Sequence, residues 1–256
     1  MRLVLPDLRI GMQRAILSRR FIISLSILLL LMYFSVWGFI ATAQDAIYLL
    51  GLTLSGTANA LLFLCLLPIL PYATSFAGEW NEQAVSFWVI RLGCTRYALG
   101  KIVVSALSGF LFTAAGMLLF IGLLSLRLPL FVRSSTGDVY SVLLDQGHPW
   151  QYLFFYIMHL ALSSALFAVA ALWVSTIITH TFTAITGPLV IYFIAHRFTT
   201  TLDIPTFLKA GAIVERVHGT GTPWQALGVK GATVFVLVLI MGILTFVNIR
   251  RKVQHA

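Results

Sequence analysis

The stretch "RLGCTRYALGKI", residues 91–102, closes on a Gly-Lys pair behind an earlier glycine. Backbone amides and a lysine in such a loop can hold the phosphates of a nucleotide. That chemistry requires four residues between the glycines, and a Ser or Thr after the lysine whose hydroxyl reaches magnesium. Here six residues separate Gly93 from Gly100, and Ile102 stands where the hydroxyl is needed. No apolar strand leads into the loop. The stretch is not a phosphate loop, and nothing else in the chain matches one. His159 and Ser163 lie one helical turn apart within an apolar run, as a substrate contact or a packed, hydrogen-bonded histidine would. His148, His180, His196 and His218 are scattered and make no His-x-x-x-His metal pair. Cys65 sits in an apolar run and Cys94 in a polar segment, the arrangement of two ordinary thiols rather than a disulfide framework or a metal site. With no Gly-x-Ser-x-Gly elbow and no carboxylate pair, no catalytic residue and no metal ligand is assigned.

The elements that position these residues are membrane spans. Of 256 residues, 59% are hydrophobic and only 10% charged, against about 25% charged in a soluble domain. So little charge cannot cover a water-facing surface. Six apolar runs approach or exceed the length of a hydrocarbon-crossing helix: about 21–41, 54–77, 102–126, 152–178, 182–198 and 231–249. Backbone groups cannot stay unpaired in lipid, and barrel-type alternation is absent, so the expected fold is all-α integral membrane, one transmembrane domain over 1–256. The fifth run is short and interrupted by Gly187-Pro188. Pro68 and Pro71 are expected to bend the second. The N-terminal arginines, the first run and "ATA" at 41–43 imitate a secretory signal, but that run is too long for one and five others follow.

Six spans place both termini on one side, and the net charge of +9 identifies it. With cytoplasmic termini, the inner segments hold eleven Lys or Arg against three acids, and the outer segments six against five. That asymmetry is the orientation signature of a multi-pass protein. The basic residues flank apolar runs rather than forming a stripe, so they do not indicate nucleic acid. Before the first span, Leu5, Leu8, Met12 and Ile16 recur at helical spacing with Arg9, Gln13, Arg14 and Arg20 largely on other faces. This predicts an interfacial helix over 4–20 in contact with membrane lipids. Outside, 127–151 and 199–230 are long connections. In the second, Asp203 could cap a short helix through "IPTFLKAGAIVERV" that puts Ile204, Phe207, Leu208 and Gly211 on one face, with a solvated loop as the alternative. Ser105, Gly109, Thr113 and Gly116 make a stripe of small residues in the third span, suited to close helix packing either within the chain or in a dimer seam.

The segment "FAGEWNEQAVSFWVIRLGCTRYALGK", 76–101, contains the cytoplasmic elbow at 78–101. Glu79 and Glu82 begin it, Trp80, Phe87 and Trp88 suit an interface, and Arg91, Arg96 and Lys101 lead into the next span. With an interfacial helix before the first span and a Gly-Lys at the third, this arrangement resembles the permease subunits of ABC transporters of the small six-span export type, ABC-2. Glu79 and Glu82 correspond to the family's acidic start, Arg91–Arg96 to its turn, and Gly100-Lys101 to its closing pair. The family often carries Glu-x-Gly-Thr and a proline in the turn, whereas this chain has Glu82-Gln83-Ala84 and no proline. The resemblance implies a non-catalytic subunit of the bacterial cytoplasmic membrane, without a cofactor of its own. ATP and magnesium would be held by separate ABC ATPase subunits docking on the elbow. It implies a second permease copy, or a homologous permease, around a central path. Lipids, hydrophobic peptides and antimicrobials are the implied classes of exported substrate. The competing expectation is a membrane-embedded lipid-modifying enzyme or accessory protein with its site in the outer loops, which the missing nucleophile disfavours.

Overall fold

The computed structural model describes residues 4–132, 138–214 and 221–254, with side chains from residue 10 onward. Arg133, Glu215, Arg216 and His218, and the side chains of Leu5, Leu8 and Arg9, lie outside the described residues. Among the described residues all regular structure is helical.

Helix α1, Val4–Ile16, leads into α2, Arg19–Val36, across a short break. Ser18 caps α2 by accepting a hydrogen bond from the Phe21 amide at 3.1 Å, satisfying one of the donors a helix start leaves open. From Ile10 to Phe39 the two count as one apolar segment of membrane length. Three further helices are long and apolar enough to cross a bilayer: α7, Cys94–Ser125, then α9, Pro149–Ile177, and α12, Pro223–Gln254. α9 is the central helix. It is enclosed by α7, by α12, and by α10, Thr181–Thr201. Its sequence is hydrophobic around its whole circumference, as a helix buried on every side must be.

The second apolar run is not a plain helix. α3, Ala46–Thr53, and α4, Thr57–Ala60, are followed by a π-helical turn at Leu61–Leu66 and a 3-10 turn at Leu67–Ile69. The pair Ala46–Thr53 and Thr57–Ile69 is bent by 90°. Gly56 at the bend has φ of +86°, a conformation costly for any residue with a Cβ. Pro68 has no amide to donate and its ring crowds the carbonyl one turn back, so the regular ladder gives way around it. The expected bend therefore becomes a change of helix type. If the bent pair is one span, five elements among the described residues have membrane length. α10 carries Pro188 within its 21 residues and lies outside that set.

At one end of the bundle lie α5, Ser75–Asn81, and α6, Ala84–Leu92. At the other lie α8, Ser141–Asp145, a 3-10 turn at Thr206–Leu208, and α11, Ala210–Val214. The single helix expected after Asp203 is instead two short turns, because Lys209 between them is extended (ψ 131°). Three of the long helices also begin earlier than the hydropathy alone placed them. α7 starts at Cys94 rather than 102, α9 at Pro149 rather than 152, and α12 at Pro223 rather than 231. Arg96, Lys101 and Lys230, all assigned to loops by their charge, thus stand on helices.

Candidate functional sites at the two ends of the bundle

The elbow end is organised by Lys101. Its side chain is only 6% exposed, and its Nζ donates to Glu79 Oε1 at 2.6 Å and to Ser75 Oγ at 2.9 Å. The other carboxylate oxygen, Glu79 Oε2, accepts from the Tyr97 hydroxyl at 2.7 Å. The ammonium also lies 4.9 Å from the centre of the Tyr72 ring. Removing two charges from water is costly unless they pair and their remaining hydrogen-bonding capacity is met. Here both carboxylate oxygens and at least two ammonium donors are engaged. The result ties α5 rigidly to the first turns of α7. It is the one ion pair among the described residues.

Around that pair the helices form a small apolar cluster of Phe76, Val85, Tyr97, Ala98, Ile102 and Ile249. Lys252 of α12 sits 5.1 Å over Trp80, and Arg14 of α1 sits 4.9 Å over Trp88. α1 lies close against α7, for a Cβ on Gly11 would come within 3.0 Å of Val104 Cγ2. The sequence-distant helices α1 and α12 thus grip the elbow together with α7. Its hinge is Gln83, the one described non-glycine residue with a left-handed backbone (φ 57°), where α5 gives way to α6. Glu82, Arg91 and Arg96 are solvent-exposed, as are Phe87 and Ile90 on α6. Arg14, Arg91, Arg96 and Lys101 border a cavity of about 270 Å³. Of the five elbow residues singled out in the sequence, Glu79 and Lys101 face each other inside, while Glu82, Arg91 and Arg96 face outward. Tyr97 and Ser75 were missed. Tyr97 was recoverable, being four residues before Lys101 on the same helix face.

The small-residue stripe on α7 packs within the chain. A Cβ on Gly109 would lie 2.7 Å from both the Ser164 carbonyl oxygen and Ala168 Cβ on α9, and one on Gly116 would lie against Leu28 of α2. Thr113 donates to Ser164 Oγ at 2.7 Å. Ser105 is fully buried, and its hydroxyl has no partner among the described residues.

The opposite end holds a second polar cluster. Lys230, 6% exposed, donates to Ser163 Oγ at 2.9 Å and to the Ile213 carbonyl oxygen, which Ser163 also reaches at 3.0 Å. Three elements, α9, α11 and α12, meet at this point. One turn away along α9, His159 Nδ1 and the Tyr140 hydroxyl are 3.0 Å apart. Asp138 fixes Tyr140 by accepting from its backbone amide at 2.9 Å, and holds α9 by accepting from the Tyr152 hydroxyl at 2.8 Å. Burial, and then the Asp138 charge, pushes the Tyr140 hydroxyl above the ordinary tyrosine range, so it stays a neutral phenol. His159 and Lys230 line a common cavity of about 660 Å³ with Thr206, Phe207, Ile213 and Thr233. The sequence-predicted path residues His159 and Ser163 are therefore together, and Lys230, which charge counting placed in the 199–230 connection, joins them. Its only sequence signal was its position next to an apolar run.

Neither Cys65 nor Cys94 is in a disulfide. Among the described residues, no group of His, Cys, Asp and Glu could hold a metal ion. No family model matches the chain, and neither does any curated protein or solved structure.

Proposed function

We propose that this chain is the transmembrane permease subunit of an ATP-driven exporter of the ABC-2 type, with six spans and cytoplasmic termini. The spans are the four long apolar helices, the bent α3–α4 pair and α10. Charge asymmetry supports that orientation: the elbow end gathers Arg14, Arg91, Arg96, Arg250, Arg251 and Lys252. The reading assigns no catalysis to this chain. A separate ABC ATPase supplies hydrolysis, with its own ATP and magnesium, and a second permease copy or a homologous permease completes the path.

The observation that carries the reading is the buried Glu79–Lys101 pair, seen with what surrounds it. An exposed amphipathic helix, α6, follows a strained hinge at Gln83 and runs through Gly93 into the long helix α7, which Glu79 of α5 holds at Lys101. A body pressing on Glu82, Phe87 or Arg91, or on Arg96 of α7 itself, would act on a span whose start is charge-locked to the elbow rather than on a slack loop. That is the mechanical requirement for passing an ATPase's movement to a span.

The test is co-purification with a candidate ABC ATPase chosen by gene neighbourhood, followed by reconstitution in vesicles. The expected result is a stable complex whose ATP hydrolysis responds to transport, with Glu82→Ala and Arg96→Ala weakening both assembly and coupling. Undiminished assembly and undiminished coupling in those variants would overturn the assignment.

A further inference from the structure

We propose that the outer cavity bordered by Lys230 and His159 binds an anionic amphiphile, its carboxylate or phosphate headgroup set on Lys230 and its apolar chain along Phe207, Ile213 and Val229. Taking this ligand as the exported cargo rests on the transporter reading, whereas the binding itself does not.

Lysine is a costly residue to bury. An ammonium removed from water needs an opposite charge or a full set of acceptors. Among the described residues the hydrogen-bond acceptors of Lys230 Nζ are Ser163 Oγ and the Ile213 carbonyl, both neutral. An ammonium has three donors, so two partners leave one for a guest. Lys230 is also part of the cavity wall, so a guest in that space meets it directly. An ionisable side chain within a membrane-length helix, facing a cavity rather than lipid, is the arrangement found along substrate paths.

The cavity's form narrows the guest. About 660 Å³ is the size range of small-molecule sites, larger than a bare oxyanion requires. Lys230, His159, Thr206 and Thr233 provide polar wall, and Phe207, Ile213 and Val229 provide apolar wall. A molecule with an anionic end and a hydrocarbon part satisfies both. Its depth agrees as well. Trp150 and Trp224 begin α9 and α12 at this end and are 71% and 70% exposed, as residues of an interfacial aromatic belt are. Lys230 follows Trp224 by six residues, roughly 9 Å along the helix axis. That is the depth at which a headgroup gives way to its chain.

The test uses the full chain in nanodiscs of zwitterionic phosphatidylcholine, with dodecyl phosphate as probe and native mass spectrometry or calorimetry as readout. Saturable binding is expected, competed by laurate and by phosphatidylglycerol but not by dodecyl maltoside. Lys230→Met should weaken it by on the order of thirtyfold or more, since one side of a buried charge pair is lost. Lys230→Arg should retain it within a few-fold. Ala232 also lines the cavity, so Ala232→Phe, which narrows it and leaves Lys230 in place, should also abolish binding, and it guards against misfolding of the Met variant. Equal binding by Lys230→Met, or by Ala232→Phe, overturns the proposal. Inorganic phosphate competing as well as dodecyl phosphate would make this a free-anion site and overturn the amphiphile. Binding that survives while the ATPase test fails removes only the cargo role. A working ATPase complex without Lys230-dependent binding removes only this site.

Discussion

Lys101 Nζ lies 2.6 Å from Glu79 Oε1, joining two residues that the linear sequence presents as separate charges on a water-facing elbow. The pair divides the elbow's five charged candidates into two kinds. Glu79 and Lys101 hold the elbow on the bundle, and Glu82, Arg91 and Arg96 are left exposed.

This division has a measurable consequence. Lys101→Met leaves the Glu79 carboxylate half-buried without its counter-ion, and should destabilise the fold by about 3 kcal/mol. Glu82→Ala and Arg96→Ala remove exposed side chains, and should each change stability by no more than about 0.5 kcal/mol. Both can be followed in a Cys94→Ser background, where buried Cys65 is the remaining thiol and becomes maleimide-reactive on unfolding. Equal stability of the three variants would contradict the buried pair.

Gly109 and Gly116 belong to one stripe but differ in what faces them. A methyl on Gly109 meets a backbone carbonyl and a Cβ of α9, neither of which can swing aside. A methyl on Gly116 meets the end of the flexible Leu28 side chain. Gly109→Ala should therefore cost about 1–3 kcal/mol, through overpacking of the α7–α9 contact, and Gly116→Ala clearly less. Thermal unfolding of the two variants in the same detergent gives the ranking, and a reversed order would refute it.

Asp45 is a third case, fully buried though it stands in the connection before α3. Its Oδ1 accepts from the Tyr48 amide at 2.6 Å and its Oδ2 from the Val132 amide at 3.2 Å. It thereby caps α3 and fastens that helix to the segment after α7. Asp45→Ala loses the cap, worth about 1 kcal/mol, and leaves a second amide without its acceptor. Amide exchange at both Tyr48 and Val132 should accelerate together. Acceleration at Tyr48 alone would show that the second bond does not form.

How much could be read without coordinates depended on whether a property was local. Chain composition and the length of its apolar runs establish an all-helical membrane chain, because lipid admits no unpaired backbone. The Gly-Lys stretch was already excluded as a phosphate loop by spacing alone. Pro68 announced a bend, and the Ser105–Gly116 stripe announced close packing. What only the tertiary structure decided is which of these features meet. Nothing local distinguishes Lys101 and Lys230, both buried, from Arg91 and Arg96, both exposed. Each is a cation beside an apolar run. Their fates differ because Glu79 lies 22 positions from Lys101, and Ser163 lies 67 positions from Lys230. A charge can be buried only where distant residues supply its partners, and that supply is a property of the packed helices, not of the neighbouring sequence.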